Sequence, residues 1–182
     1  LTGRYAGSAY SAEFLELFPK GRQSLPGFNV ELEPDNQNVA ALLAKAGYAT
    51  GMVGKFHVGP SLSDAEFRQK YGLHEIEKNV PFTPTLNRKK FENEKGYRKA
   101  VKDFGFTWAK NISWDNTKAP FQSHKPDWTA AAAVEFIEHH RQGPFYLHYC
   151  TTLLHGPNGS WYKSLDKPRV TGEGIIDADL NV

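Results

Sequence analysis

DNQNVAALLAKAGYATGMVGKFHVGP, residues 35–60, is the stretch whose reading decides the fold. Asp35 or Asn36 is placed to cap a helix in which Val39, Leu42, Leu43 and Ala46 recur at helical spacing, with Gly47 closing it in a left-handed conformation. Residues 48–53 then read as a short buried strand. Beyond it, Gly54-Lys55-Phe56-His57-Val58-Gly59-Pro60 does not easily continue regular structure, because two glycines and a proline flank two polar functional side chains. A loop leaving the end of a strand is a common place for chemistry.

Working outward, a second unit of the same kind starts at Lys125-Pro126-Asp127. Asp127 is placed to cap a helix running to Arg141, with Ala131, Val134, Ile137 and Phe136 toward the core and Gly143-Pro144 as the stop. Residues 145–150 follow as a strand, and the segment 151–157 leaves it carrying His155. Two helix-then-strand units, each delivering a histidine past its strand, predict an α/β sheet flanked by helices with a site along one edge.

Between them, residues 78–110 hold nine Lys or Arg against three Asp or Glu, interleaved with Phe82, Phe91, Tyr97, Phe104, Phe106 and Trp108. This reads as a solvated helix face around residues 97–104, or as a basic wall lining the mouth of a site for an anionic substrate. Residues 106–114 read as a further strand, and residues 158–182 as irregular. The span 60–125 is expected to be an insertion or a less regular region on the substrate side.

Composition narrows the class. A 182-residue chain with 40% apolar residues and a net charge of +2 is globular, and that net charge is too small to argue for nucleic acid as the main partner. No apolar run approaches the roughly 20 residues of a membrane span. A single cysteine, Cys150, excludes an internal disulfide framework and a cysteine-based zinc cluster. The chain opens on Leu1 without a basic and apolar preamble, and it reads as a piece of a longer protein.

Lys55 and His57 stand two apart, so on extended backbone they point to one side and an ammonium and an imidazole converge on one anionic group. Alone, Lys-x-His more often describes a surface lysine beside a packed histidine. Three other patterns carry less. Asp103-Phe104-Gly105 matches a kinase magnesium tripeptide but has no glycine-rich loop with it. His139 and His140 are adjacent on their helix, which is poor geometry for a shared metal. Asn111-Ile112-Ser113 and Asn158-Gly159-Ser160 fit a glycosylation pattern that is common by chance.

What raises the pieces above chance is their order. Leu1-Thr2-Gly3-Arg4, then residues 38–59 ending in Gly54-Lys55-Phe56-His57-Val58-Gly59, then Pro144-Phe145-Tyr146-Leu147 leading to His155-Gly156-Pro157, resemble the sulfatase family from Leu1 to about Pro157. The stretch ending at His57 is similar to one family signature, with Phe56 where tryptophan is frequent. Leu1 to Arg4 matches only the tail of the other signature, which opens upstream with the Cys or Ser that becomes formylglycine.

The resemblance implies an alkaline-phosphatase-like α/β fold, with residues 1–182 an incomplete part of one catalytic domain. It implies that Lys55 holds the sulfate and the formylglycine, that His57 lies beside the formylglycine hydroxyl, and that His155 binds the sulfate near the leaving oxygen. Arg4 matches a residue that supports the nucleophile loop. Calcium is implied as well, but its aspartate and asparagine ligands are unmatched: Asp115-Asn116 lacks the following glycine, and Asp177-Ala178-Asp179 lacks a preceding apolar strand.

The implied reaction is attack of a hydrated aldehyde on the sulfur of a sulfate ester, departure of the alcohol, and expulsion of sulfate by the second hydroxyl. Lys55 supplies the cation, His155 the proton for the alcohol, and His57 the base for elimination. With nucleophile and metal ligands outside it, the chain alone is expected to be inactive. The implied partners are a sulfated small molecule or sulfated polysaccharide and the remaining segments of the parent chain. The resemblance favours a periplasmic, secreted or lysosomal location. A phosphate or phosphonate monoester hydrolase of the same fold, and a noncatalytic binding or packing segment, are the competing readings.

Overall fold

A computed structural model of the chain describes residues 38–76, 83–114 and 125–151, together with Leu1 and Leu32. Helix α1 (Val39–Lys45) begins at Asn38, not at Asp35 or Asn36, which lie outside the described residues. Asn38 earns the cap by its geometry: its side-chain oxygen accepts from the Ala41 amide at 3.1 Å, and its Nδ2 donates to the Phe104 carbonyl at 2.9 Å. Gly47 follows the helix at φ +88°, the left-handed closure the sequence predicts.

Strand β1 (Ala49–Lys55) comes next and is buried through its centre, Met52 and Val53 being fully enclosed. Helix α2 (Ala65–Tyr71) is capped by Asp64, and helix α3 (Pro84–Asp103) by Thr83 with a proline at its first position. Strand β2 (Trp108–Ser113), helix α4 (Lys125–His140) and strand β3 (Phe145–Cys150) complete the described elements. The strands form a parallel sheet in the order β2-β1-β3, so β1 is central and all three carboxyl ends lie on one edge.

The helices cover opposite faces. Met52, Ala109 and Ile112 share a core with Tyr97, Ala100 and Val101 of α3. On the other face a Cβ at Gly51 would stand 2.6 Å from the Phe136 ring of α4, and Trp108 packs on the same ring at 5.2 Å. The layering is helix, parallel sheet, helix, which is the α/β class expected from the sequence.

The helices face inward by different residues from those expected. In α1 the buried side chains are Ala40 and Ala41, while Leu42 is 57% exposed. In α4 they are Thr129, Ala132, Ala133 and Phe136, while Ala131, Val134 and Ile137 lie outside. The reason is close approach. A Cβ at Gly105 would meet the Ala41 methyl at 2.6 Å, and Gly51 touches α4 through Phe136, so small residues occupy the contact and larger ones are displaced. Helix α4 also starts two residues before Asp127, which sits in its first turn, where a proline at 126 is tolerated because no helical hydrogen bond is lost.

Candidate functional site

Strand β1 runs to Lys55, two residues past its expected end, because the ladder changes form instead of stopping. Val53 pairs with Lys110 and Gly54 with Ile112, leaving Asn111 as an extra residue in β2. Asn111 takes φ +55°, a conformation asparagine tolerates better than most side chains, and donates its Nδ2 to the Trp128 carbonyl of α4. Opposite it, Gly54 takes φ +94°, and a Cβ there would lie 2.0 Å from the Cys150 carbonyl oxygen. Only glycine fits that backbone and that spacing. A bulge of this kind re-aims the strand just where it delivers Lys55.

One further ladder bond, from the Phe56 amide to the Ser113 carbonyl at 2.8 Å, carries the chain past Lys55. Phe56 is 1% exposed and packs on Phe104, Phe106 and Trp114, whereas Lys55 is half-buried and His57 exposed. The aromatic between them anchors the backbone, and both candidate residues stand at the carboxyl edge of the sheet. The loop beyond is fixed as well: the Val58 carbonyl accepts from Leu32 N at 2.8 Å, and the Pro60 carbonyl accepts from Trp114 Nε1 at 2.8 Å.

Arg4 and His155 lie outside the described residues, as do Asp115-Asn116, Asp177 and Asp179. Gly54 pairs with Cys150 in parallel register, so the chain leaves β3 at Thr151 by the same edge at which β1 presents Lys55. Cys150 sits at this edge, but burial pushes its thiol pKa up and keeps it a thiol, and Cys150-Thr151-Thr152 does not match the nucleophile signature.

Among the described residues no group of three or more His, Cys, Asp or Glu could hold a metal ion. Residues described here therefore do not fit a calcium site. The motifs set aside have structural explanations. Asp103 ends α3 and accepts from the Tyr71 hydroxyl at 2.8 Å, with Gly105 turning the chain toward β2. His139 and His140 each bond back through Nδ1 to a carbonyl four residues earlier in α4. Asn111 is 7% exposed and hydrogen-bonded, which removes it as a glycosylation acceptor in the folded chain.

The basic stretch 88–102 is divided by its own helix. Helix α3 joins β2 through a short turn at 104–107 and so runs antiparallel to it, placing Lys99 and Lys102 toward the end of the sheet away from Ser113. Fifteen helical residues span about 22 Å, more than one rim can gather. Asn111 and Trp114 are the residues whose structural part sequence reasoning missed; Asn111 stands among other polar residues of β2, Lys110 and Ser113, and so gave no signal of its own.

The family model for sulfatases matches residues 1–172. This chain belongs to the sulfatase family. An arylsulfatase of Hemicentrotus pulcherrimus is 28% identical to it over 144 residues, which cover 76% of this chain and 25% of that protein, so the sulfatase chain here spans about a quarter of the length of that relative. The family's fold is alkaline-phosphatase-like, and the parallel sheet with helices on both faces accords with it. No helix among the described residues is long and apolar enough to cross a membrane.

Proposed function

We propose that this chain is part of one catalytic domain that hydrolyses sulfate esters, with Lys55, His57 and His155 as its working side chains and Arg4 supporting the nucleophile loop. The observation that supports the reading is the register of β1 on β3: Gly54 lies beside Cys150, so β3 ends at the edge that holds Lys55, and His155 follows within five residues in the sequence. Five residues of extended chain reach at most about 18 Å, enough to bring His155 back over that edge.

The Lys55 ammonium neutralises charge gathering on the sulfate oxygens, an interaction that strengthens toward the transition state. His155 donates a proton to the departing alcohol oxygen. His57 takes a proton from the hydroxyl at the nucleophile, the role of a general base. Formylglycine, expected upstream of Leu1, supplies the attacking oxygen when present, and calcium, whose ligands would come from outside the described residues, has no step assigned to it. The substrate is a sulfated small molecule or a sulfated polysaccharide.

The test is turnover of an activated aryl sulfate, aryl phosphate and aryl phosphonate by the full-length protein with its nucleophile matured. Sulfate ester hydrolysis well above the other two is expected, and none from residues 1–182 alone. Preference for phosphate or phosphonate would transfer the site to the related hydrolases. Inertness of the matured protein toward all three would favour a binding or packing role.

A further inference from the structure

Trp114 closes β2 at the carboxyl edge and is 4% exposed. Its ring meets both sides of His57 along the chain. On the N-terminal side the Phe56 ring packs against it at 5.2 Å between centroids. On the C-terminal side Gly59 lies so close that a Cβ there would stand 2.2 Å from the indole, and Nε1 donates to the Pro60 carbonyl at 2.8 Å. Behind it, Tyr97 of α3 stacks at 5.3 Å and Phe67 of α2 packs at 5.0 Å, so the indole has no room to retreat. Gly59 does not adopt a left-handed φ, which makes its lack of a side chain a matter of space beside Trp114 alone.

We infer that Trp114 is a positioning residue for His57. It clamps residues 56 and 59–60, and thereby fixes the span of backbone from which the imidazole reaches the reacting group. The inference rests on His57 working at the proposed site. The hydrogen bond at Pro60 and the steric stop at Gly59 both lie within three residues of His57 and limit the backbone that carries it. A misplacement of about 1 Å lowers turnover by as much as 100-fold. The indole is suited to the task because one rigid group supplies both a donor and a broad apolar face.

The experiment is a double-mutant cycle in the full-length enzyme, using Trp114→Phe and His57→Ala with an aryl sulfate substrate, alongside hydrogen exchange of the peptide covering residues 56–62. Trp114→Phe should lower kcat by about 10-fold to 100-fold with KM changed less than about threefold, and should add almost nothing in the His57→Ala background. Exchange should quicken at the amides of 57–59 within that peptide, while a second peptide covering 51–55 stays protected. Equal losses in both backgrounds, or unaltered exchange with unaltered kcat, would overturn the positioning role and leave the site reading intact. Undiminished turnover of His57→Ala itself would instead overturn the site reading, and with it any catalytic purpose for the clamp. Should Trp114→Phe accumulate poorly, Gly59→Ala strains the same contact from the loop side and is expected to show the same kcat loss and the same lack of additivity; a wild-type kcat in Gly59→Ala would contradict the clamp.

Discussion

The two faces of the sheet are filled by different means. The α3 face is built from large rings, with Phe56, Phe67, Tyr71, Tyr97, Phe106 and Trp114 all buried in one cluster around Met52 and Ile112. On the α4 face the buried helix residues are small apart from Phe136, with Thr129, Ala132 and Ala133 enclosed, and Gly51 of β1 lies against the Phe136 ring, on which Trp108 and Phe145 also pack. Outside that helix Val134 and Ile137 are exposed, at 58% and 40%. The aromatic face grips the end of β1 and the loop that follows, whereas the small-residue face sets the distance between sheet and helix. Site geometry therefore depends mainly on one side of the sheet.

Truncating the aromatic side should have the largest effect. Phe56→Ala is expected to destabilise by about 3–5 kcal/mol, because the ring leaves a cavity among neighbours that are themselves fixed. Val134→Ala on the outer face of α4 should change stability by no more than about 0.5 kcal/mol. Urea denaturation of both variants makes the comparison, and similar midpoints would erase the contrast between the faces.

Next comes Lys55→Ala, which should reduce kcat/KM of the full-length enzyme by about 100-fold or more while leaving its melting temperature nearly unchanged. Full activity in a well-folded variant would remove Lys55 from the site.

The small-residue face is tested by Gly51→Ala. The added methyl would lie 2.6 Å from the Phe136 ring, and overpacking of this kind costs about 1–3 kcal/mol. Combining it with Phe136→Leu should recover part of the loss. Absence of any recovery would mean that the ring is not what limits the approach.

The smallest effect concerns β3, the half-exposed strand. Burial lowers the pKa of His148 below its ordinary value near 6.5, so the unfolded chain binds the proton more readily than the folded one. Its stability contribution is complete above about pH 6.5 and is lost as pH falls through the depressed folded value. Melting temperature should drop between pH 7.5 and pH 5, and His148→Phe should shrink that drop. An unchanged pH slope in the variant would show that other groups carry it.

The two helix-then-strand units were legible because in each a helical repeat is closed by glycine and followed at once by a short run rich in apolar and aromatic residues, although only β1 is enclosed through its centre and β3 is half-exposed. Strand β3 falls on the expected residues 145–150. The inner faces of α1 and α4 were not legible, since a pattern reading ranks Leu42 and Val134 above Ala41 and Ala133, while close packing selects for volume. The bulge at Asn111 was hidden for a related reason. It is specified by Gly54 and Cys150 across two strands, and no local sequence window contains all three. Helix α3 extends from Pro84 to Asp103, well beyond the amphipathic stretch around 97–104, because its burial is supplied by Asn93, Glu94, Gly96 and Tyr97 and not by an apolar stripe alone. Glu94 is held there by Arg98 at 2.6 Å and by the Ile112 amide at 3.2 Å, a tertiary partnership that composition does not announce. Lys55 and His57 are proposed from their motif, whereas Trp114 emerges only when β2 is laid beside β1.

The central claim is that Lys55, His57 and His155 meet over the carboxyl edge of the sheet and hold a sulfate there. The most direct measurement is a crystal structure of the full-length protein with a nonhydrolysable sulfate ester analogue. The account predicts sulfate oxygens within about 3.2 Å of Lys55 Nζ and of a His155 ring nitrogen, with the His57 imidazole on the side of the nucleophile. His155 at the opposite end of the sheet, or an analogue bound away from Lys55, would contradict it.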